Sequence, residues 1–494
     1  MLYIETTFQC RTVLLVVLEV IIYGGAGEVG GNKILVSNSE DSILLDFGIS
    51  FEKSSRYFGF PRPQPKSIDQ LIQLGIIPKI DNIYSQGVES LSGNFDLDPE
   101  PPVDAVFISH GHLDHMGYIS LLTRKLGIFM GKCCRNILEA RKATTWRKEF
   151  TTNYDGLDIK CFRSYQTIKV GGMSVTPIHV DHSIPGAYGF VVDTGEGIVV
   201  YTGDLRWHGE TRLTDDFVKY VTERIGEVDL LITETTHVDY SGYTSEREVR
   251  DKLRSIMHTS DNDVIIDFSR ADFDRFYSVY VASKDSERLL LVDLTEWIYL
   301  NHIAQCEGLM KRIPLEDIYV YLPKVSFSRS EKEFLRNLAD STPSRILVPD
   351  EIENKFKSRN RDIQSYDRLN KFIEDQRREG KYVTIVAPGR DIEKISRILR
   401  RGSIYILASS EPIGEESEIE FERLKNWFEE FGVPIYHIHA SGHITPLDLK
   451  RMIERINPKN IIPVHGTRPK LLRNFVGEKK YRWILPEEGQ KIIL

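Results

Sequence analysis

Cysteine is scarce and poorly placed for chemistry in this chain. Five cysteines (Cys10, Cys133, Cys134, Cys161 and Cys306) are scattered through 494 residues with no CxxC spacing. An odd, dispersed set suggests neither a disulfide framework nor a thiolate zinc site, and fits a reducing cytoplasm. Long apolar runs are missing too. Val13 to Tyr23 is about half of the roughly 20 residues a membrane span needs, and it contains Glu19. Only Arg11 precedes it as a basic residue, so it does not read as a signal peptide; its second half reads as a first strand, and residues 1–16 as an extension. Internal repeats and low-complexity tracts are absent. So is a basic excess: the net charge of −8 argues mildly against nucleic acid as a partner, because phosphate binding draws on clustered Lys and Arg. One stretch runs the other way, since residues 350–401 hold 14 Lys/Arg against 10 Asp/Glu, including Arg397, Arg400 and Arg401.

The length exceeds what one core usually serves, so two domains or one domain with a large insertion are expected. With 41% apolar and 28% charged residues the composition is that of an ordinary compact protein. Short β-branched runs alternate with longer amphipathic stretches, which is the α/β rhythm. Strands are expected at Lys33-Val36, Ser42-Leu45, Ala105-Ile108, Gly197-Tyr201, Asp229-Ile232, Asp263-Ile266, Tyr382-Val386, Ser403-Leu407, Pro434-Ile438 and Asn460-Val464. Helices are expected at Ser245-Met257, Arg368-Arg378, Ile392-Leu399, Glu416-Phe428 and Pro446-Ile456, and a loop-rich insertion over 67–100. His110, Asp204, Glu234, His443 and His465 each follow one of these strands. Open α/β sheets assemble ligand sites at that edge, where the loops leaving strand ends converge.

The densest chemistry is His110-Gly111-His112-Leu113-Asp114-His115, four potential ligands within six residues on a strand-to-helix turn. Imidazole and carboxylate suit zinc and related ions. Four ligands on one loop cannot all surround one ion and leave it open, so others are required. Asp204 is the natural bridging carboxylate, and His182 and His465 complete the set; His179, inside an expected strand over Ser174-His179, competes with His182. Two ions roughly 3.5–4 Å apart would share Asp204 and generate hydroxide at neutral pH, the chemistry of phosphodiester or carbonyl hydrolysis.

These residues resemble the metallo-β-lactamase superfamily, and within it the β-CASP nucleases, most of all the ribonuclease J family of the archaeal kind. Besides the metal loop, the resemblance rests on Tyr23-Gly24-Gly25-Ala26-Gly27-Glu28-Val29-Gly30-Gly31-Asn32, on Leu44-Leu45-Asp46-Phe47-Gly48, and on His439-Ala440-Ser441-Gly442-His443 followed by Pro463-Val464-His465-Gly466. It covers residue 18 to the end. It implies an αββα metallo-β-lactamase sandwich, α/β in class, interrupted by an α/β β-CASP domain. The expected divisions are 17–238 for the first part of the lactamase domain, 239–412 for the insertion and 413–494 for the C-terminal part.

The resemblance implies two Zn ions, with Mn or Mg as substitutes, held by His110, His112, Asp114, His115, His182, Asp204 and His465. Asp114, Glu234 and His443 would be the catalytic residues, His443 meeting the scissile phosphate or leaving oxygen and Glu234 orienting it. Ser409, Ser410, Ser441, Gly442 and His443 would bind substrate phosphate. The implied activity is hydrolysis of single-stranded RNA, 5′ to 3′ exonucleolytic and endonucleolytic as well, by a cytoplasmic homodimer with no membrane attachment, alone or in an RNA-processing or decay complex. The alternatives are a DNA-processing β-CASP nuclease and a small-molecule hydrolase. The tracts Thr235-Thr236-His237-Val238-Asp239-Tyr240 and Asp267-Phe268-Ser269-Arg270-Ala271-Asp272 depart from the ribonuclease J pattern.

Overall fold

The computed structural model describes residues 18–59, 65–89, 98–145, 149–239, 241–242, 244–306, 313–321, 345–346, 361–387, 389, 392–396, 399–409 and 415–494. Three seven-stranded sheets carry the chain. The first contains β1 (Glu19–Gly24), β2 (Lys33–Ser37), β3 (Ser42–Leu45), β4 (Ala105–Ile108), β5 (Gly127–Gly131) and β6 (Asp158–Phe162). The second is built from β7 (Ile168–Val170), β8 (Met173–Val180), β9 (Ala187–Asp193), β10 (Ile198–Tyr201) and β11 (Leu230–Glu234). The third, all of whose pairings are parallel, comprises β12 (Val264–Asp267), β13 (Leu289–Asp293), β14 (Ile318–Tyr321), β15 (Arg345–Ile346), β16 (Val383–Val386), β17 (Ile404–Leu407) and β18 (Ile435–His437). The chain then returns, adding β19 (Asn460–Val464) and β20 (Arg482–Trp483) to the second sheet and β21 (Lys491–Ile493) to the first.

Strand alternation builds the first two sheets into a sandwich. Val20, Ile22, Ile34, Phe107, Val175, Phe190, Val199, Ile232 and Ile462 point into one core between them. Their neighbours point outward: Val106, Ile108 and Ile128 pack with Ile137 and Leu138 of a helix on the far side. Val200, Leu231 and Ile461 pack under Phe217, Leu449 and Ile453 on the other. This is helix on sheet on sheet on helix, the expected αββα order. Phe107 is fully buried and stacks on Phe129 at 4.9 Å, so its truncation to Ala is expected to cost about 3–5 kcal/mol.

The helices of the first half are α1 (Phe51–Ser55), α2 (Ile68–Gln73), α3 (Leu113–Met116), α4 (Lys132–Thr144) and α5 (Leu213–Tyr220). The third sheet brings α6 (Glu246–Thr259), α7 (Phe273–Asp285) and α8 (Leu294–Ala304). α6 starts at Ser245, whose side chain accepts from the Glu248 amide while Glu248 reaches back, a capping box. Trp297, Leu300 and Ile303 of α8 share a core with Ile137 and Leu138 of α4, so the third sheet's domain is seated on the sandwich through buried apolar surface. The tract 67–100 holds a helix, α2, because Ile68 and Leu71 bury one face under a Ser67 cap. The third sheet extends to His437, because β18 pairs with β17 in parallel register.

Candidate metal centre

The metal loop leaves β4 and turns into α3, and two earlier segments clamp it by its backbone. The Asn32 amide donates to the Asp114 carbonyl, Phe47 to that of His115 and Ile49 to that of Leu113, at 2.8–3.1 Å. The approach is so close that a Cβ on Gly48 would sit 1.6 Å from the Asp114 carbonyl oxygen. Glycine at 48 is therefore obligatory. Asp46 adopts a left-handed φ of 62° and His465 one of 54°, a conformation that costs energy in non-glycine residues and persists where the surroundings enforce it.

Four segments bring their donors together. Nε2 of His110 and Nε2 of His182 each lie 3.1 Å from Nδ1 of His112. Nε2 of His465 lies 3.1 Å from Oδ2 of Asp114 and 3.3 Å from Oδ2 of Asp204, while Nε2 of His115 lies 3.1 Å from that same Asp204 oxygen. His110 Nε2 is 3.8 Å from Asp204 Oδ2 as well, which sets Asp204 between a three-histidine group and a group of Asp114, His115 and His465.

The imidazoles are oriented from behind. His110 Nδ1 faces Ser109 Oγ at 3.0 Å, His115 Nδ1 faces Asp46 Oδ2 at 2.8 Å, His182 Nδ1 faces the Gly442 carbonyl at 2.5 Å and His465 Nδ1 faces Thr236 Oγ1 at 2.8 Å. Each hydrogen bond at Nδ1 turns Nε2 inward; His112 is the exception and presents Nδ1. Asp46 is the hub, accepting also from the Ser109 amide, the Ser109 hydroxyl and the Tyr201 hydroxyl at 2.7–2.8 Å.

These donors fit metal ions. His115 Nε2 and Asp204 Oδ1 are buried and make no hydrogen bond, an arrangement that costs free energy unless a cation takes the lone pairs. Burial, reinforced by the neighbouring His115, holds His110 well below the ordinary imidazole range. Burial pushes His112 down to about 4 and lowers His182 likewise, which leaves three neutral imidazoles suited to ligation. In the second group burial is outweighed: Asp204 and Asp46 hold His115 well above its ordinary range, and His115 with His465 holds the Asp204 carboxyl well below its own.

Beside Asp204 sits a dyad. His443 Nδ1 lies 2.9 Å from Glu234 Oε2 and 3.8 Å from Asp204 Oδ2; although burial opposes it, the Glu234 charge raises His443 to about 9. Glu234 is positioned by register, since β11 pairs with β19 so that Glu234 faces Val464, one residue before His465.

Of the residues singled out in the sequence, all seven ligand candidates, Glu234 and His443 lie in this cluster. His179 does not: it stacks on Tyr188 at 4.1 Å, away from the donors. Ser441 Oγ accepts from the His443 amide at 3.0 Å, and Ser409 lies just past the end of β17, its carbonyl 3.0 Å from His437 Nε2. Ser410 and Arg397 lie outside the described residues. Arg400 is paired with Glu374 at 2.7 Å rather than presented for phosphate. Sequence reasoning missed Asp46, Ser109, Thr236 and Tyr201 as orienting groups; the signal for Asp46 was an acid directly after an apolar strand. It also missed a disulfide between Cys133, in the first turn of α4, and Cys306, just past α8, whose Cα atoms lie 5.5 Å apart. The expectation of no bridge is corrected because the partners are 173 residues apart and meet only when the two domains pack.

A family model described as "Beta-lactamase superfamily domain" matches residues 84–263, and one described as "Zn-dependent metallo-hydrolase RNA specificity domain" matches 421–473. The chain is similar to a protein named ribonuclease J from Mycoplasma genitalium, with 24% identity over 467 residues, 91% of this chain and 68% of the relative. It is also similar to one named ribonuclease J from Methanocaldococcus jannaschii, with 24% identity over 484 residues, 96% of this chain and 95% of the relative. A crystal structure of a protein of unknown function from Enterococcus faecalis shares the fold, with a TM-score of 0.70, 21% identity and coverage of 97% of this chain and 100% of that one.

Proposed function

We propose that this chain, whose residues 84–263 match the beta-lactamase superfamily domain, is a metal-dependent ribonuclease that hydrolyses phosphodiester bonds of single-stranded RNA. The observation that carries this is Asp204, whose Oδ2 stands between two donor groups and 3.8 Å from the imidazole of a Glu234-held His443. Relatives named ribonuclease J along most of the chain, and the RNA specificity domain over 421–473, support RNA as the substrate.

In this reading His110, His112 and His182 would hold one ion and Asp114, His115 and His465 a second, with Asp204 available to either group. Zn fits the histidine and carboxylate set, with Mn or Mg as substitutes. When bound, such a pair supplies Lewis acidity and charge neutralisation at a phosphoryl group. His443 gives a proton to the departing oxygen, and Glu234 fixes its tautomer by accepting a hydrogen bond from Nδ1–H. Ser441, Gly442, Ser409 and Ser410 bind phosphate of the neighbouring nucleotides. The domain of the third sheet covers the cleft, with the lactamase part ending near 238 and resuming after β18. Degradation from the 5′ end with internal cuts, a homodimer, membership of an RNA-decay complex and a cytoplasmic site belong to the same reading, supported by the resemblance. Among the described residues no helix is long and apolar enough to cross a membrane.

The test is to incubate the protein with 5′- and 3′-end-labelled RNA and matched DNA, in Zn or Mn and after chelation, beside a His112→Ala variant. RNA cleavage that needs metal and His112 is expected. Intact RNA under every metal condition, or a variant as fast as the parent, would sink the reading; preference for DNA would favour the DNA-processing alternative.

A further inference from the structure

Two residues past Asp204, Arg206 is fully buried and reaches four segments at once. Its Nε donates to Asp181 Oδ1 at 2.7 Å and its Nη2 to Asp274 Oδ2 of α7 at 2.6 Å. Nη1 lies 3.4 Å from the Ser441 carbonyl and 3.6 Å from Glu246 Oε1 at the start of α6. Asp181 is the neighbour of His182, and its other carboxylate oxygen accepts from the Thr211 amide at 3.0 Å.

From the inserted domain, the equally buried Arg275 answers it. Arg275 Nη2 donates to Glu246 Oε1 at 2.8 Å and to the Ala440 carbonyl at 3.1 Å. Three consecutive carbonyls before His443 are therefore held from different sides: Ala440 by Arg275, Ser441 by Arg206 and by His208 Nε2 at 2.9 Å, and Gly442 by His182 Nδ1 at 2.5 Å. The guanidinium is suited to this because its rigid fork of donors serves several acceptors with one charge, which a lysine ammonium on a flexible stem does not. The apolar cores of the two domains are built from other side chains. The partners are instead the loop of a metal ligand, two helix starts of the inserted domain, and the loop that carries the proton donor.

We propose that Arg206 is the positioning residue through which the inserted domain sets the Ser441-Gly442-His443 loop, and with it His443, against the metal-binding side chains. This rests on the ribonuclease reading for its substrate, but its geometry is independent of it. Arg206 touches neither substrate nor metal ligand; it acts through Asp181 and Ser441.

The experiment compares Arg206→Lys, Asp274→Ala, His443→Ala and the double variant Arg206→Lys/His443→Ala, all zinc-loaded with metal content measured. Two substrates are used: RNA, whose ribose alkoxide needs a proton to leave, and bis(4-nitrophenyl) phosphate, whose leaving group does not. For Arg206→Lys the expectation is a fall in RNA kcat on the order of 100-fold with little change in KM, since small misplacement of a reacting group is that costly. Bis(4-nitrophenyl) phosphate turnover falls by less than about threefold, and Arg206→Lys adds nothing in the His443→Ala background. Asp274→Ala shows the same signature, smaller, from the other domain. Hydrogen exchange supplies a readout besides turnover: amides of 438–446 exchange faster in Arg206→Lys while β19 is unchanged. Equal losses on both substrates, multiplicative effects in the double variant, or faster exchange spread over the molecule would overturn the proposal. If the parent leaves RNA intact, the ribonuclease reading falls by itself, and unaltered exchange over 438–446 in Arg206→Lys still overturns the positioning role.

Discussion

His443 Nδ1 and Glu234 Oε2 lie 2.9 Å apart although 209 residues separate them in the chain. The pair decides the protonation of His443. Glu234 raises it to about 9 in the metal-free protein, against the burial that opposes it. A raised folded-state pKa gives stability that is fully present below the unfolded value of about 6.5 and lost as pH rises through about 9. The metal-free parent should therefore lose on the order of 2 kcal/mol across that window, with the partial exposure of His443 trimming the figure. In Glu234→Gln the decline should be smaller, the remainder coming from Asp204 and Asp114 acting on His443 and from the raised His115. Thermal unfolding from pH 6 to 10 checks it, and identical curves for the two proteins would refute it.

Asp46 should govern metal retention. It accepts from His115 at 2.8 Å, from Ser109 twice and from Tyr201. Removing its charge in Asp46→Asn leaves His115 without the partner that aims Nε2, and such outer partners are worth about 10- to 100-fold in metal affinity. Zinc competition with a chelator should show that loss at one ion of the two, with the fold retained by circular dichroism.

Gly442→Ala is a steric probe. A Cβ there would lie 2.8 Å from Ser183 Oγ and 2.9 Å from His182 Cε1, so the ring must shift away from its carbonyl partner. The expected result is weaker binding at the three-histidine site and turnover reduced on the order of 100-fold, since ligand and proton donor move together. Full activity in this variant would show that the loop yields without moving His182.

The Cys133–Cys306 bridge joins α4 to the end of α8 and closes a loop 173 residues long. In the chain-entropy account a loop of that size stabilises by about 5 kcal/mol. Under oxidising conditions Cys306→Ser should unfold at lower temperature than the parent, and after reduction the two should converge. Non-reducing peptide mapping should recover the linked pair from the parent; two freely alkylated thiols would exclude the bridge.

Much of the fold is legible in the sequence because strands announce themselves locally. Ala105-Ile108 and Asn460-Val464 are β-branched runs bounded by turn residues, and both are strands at those positions. The donors are legible for the same reason: His110 to His115 crowd one turn, and Asp204, Glu234 and His465 each follow an apolar run. What orients them is not. Asp46 looks like any acid after a strand until its left-handed φ of 62° and the closure of β3 beside β4 aim it at His115. The membership of β18 in the third sheet depends on pairing with β17, a contact no local pattern carries.

The sequence by itself determined the α/β alternation, the donor types and their placement at strand ends, because these follow from hydrophobic period and side-chain chemistry. Only the tertiary structure decided that His182 rather than His179 joins the donors, that Asp204 stands between two groups, and that Arg206 ties the inserted domain to the His443 loop. The physical reason is that ligation and buried ion pairing are set by distances of about 3 Å between segments far apart in sequence. Such distances exist only once parallel register, sheet stacking and domain packing are complete.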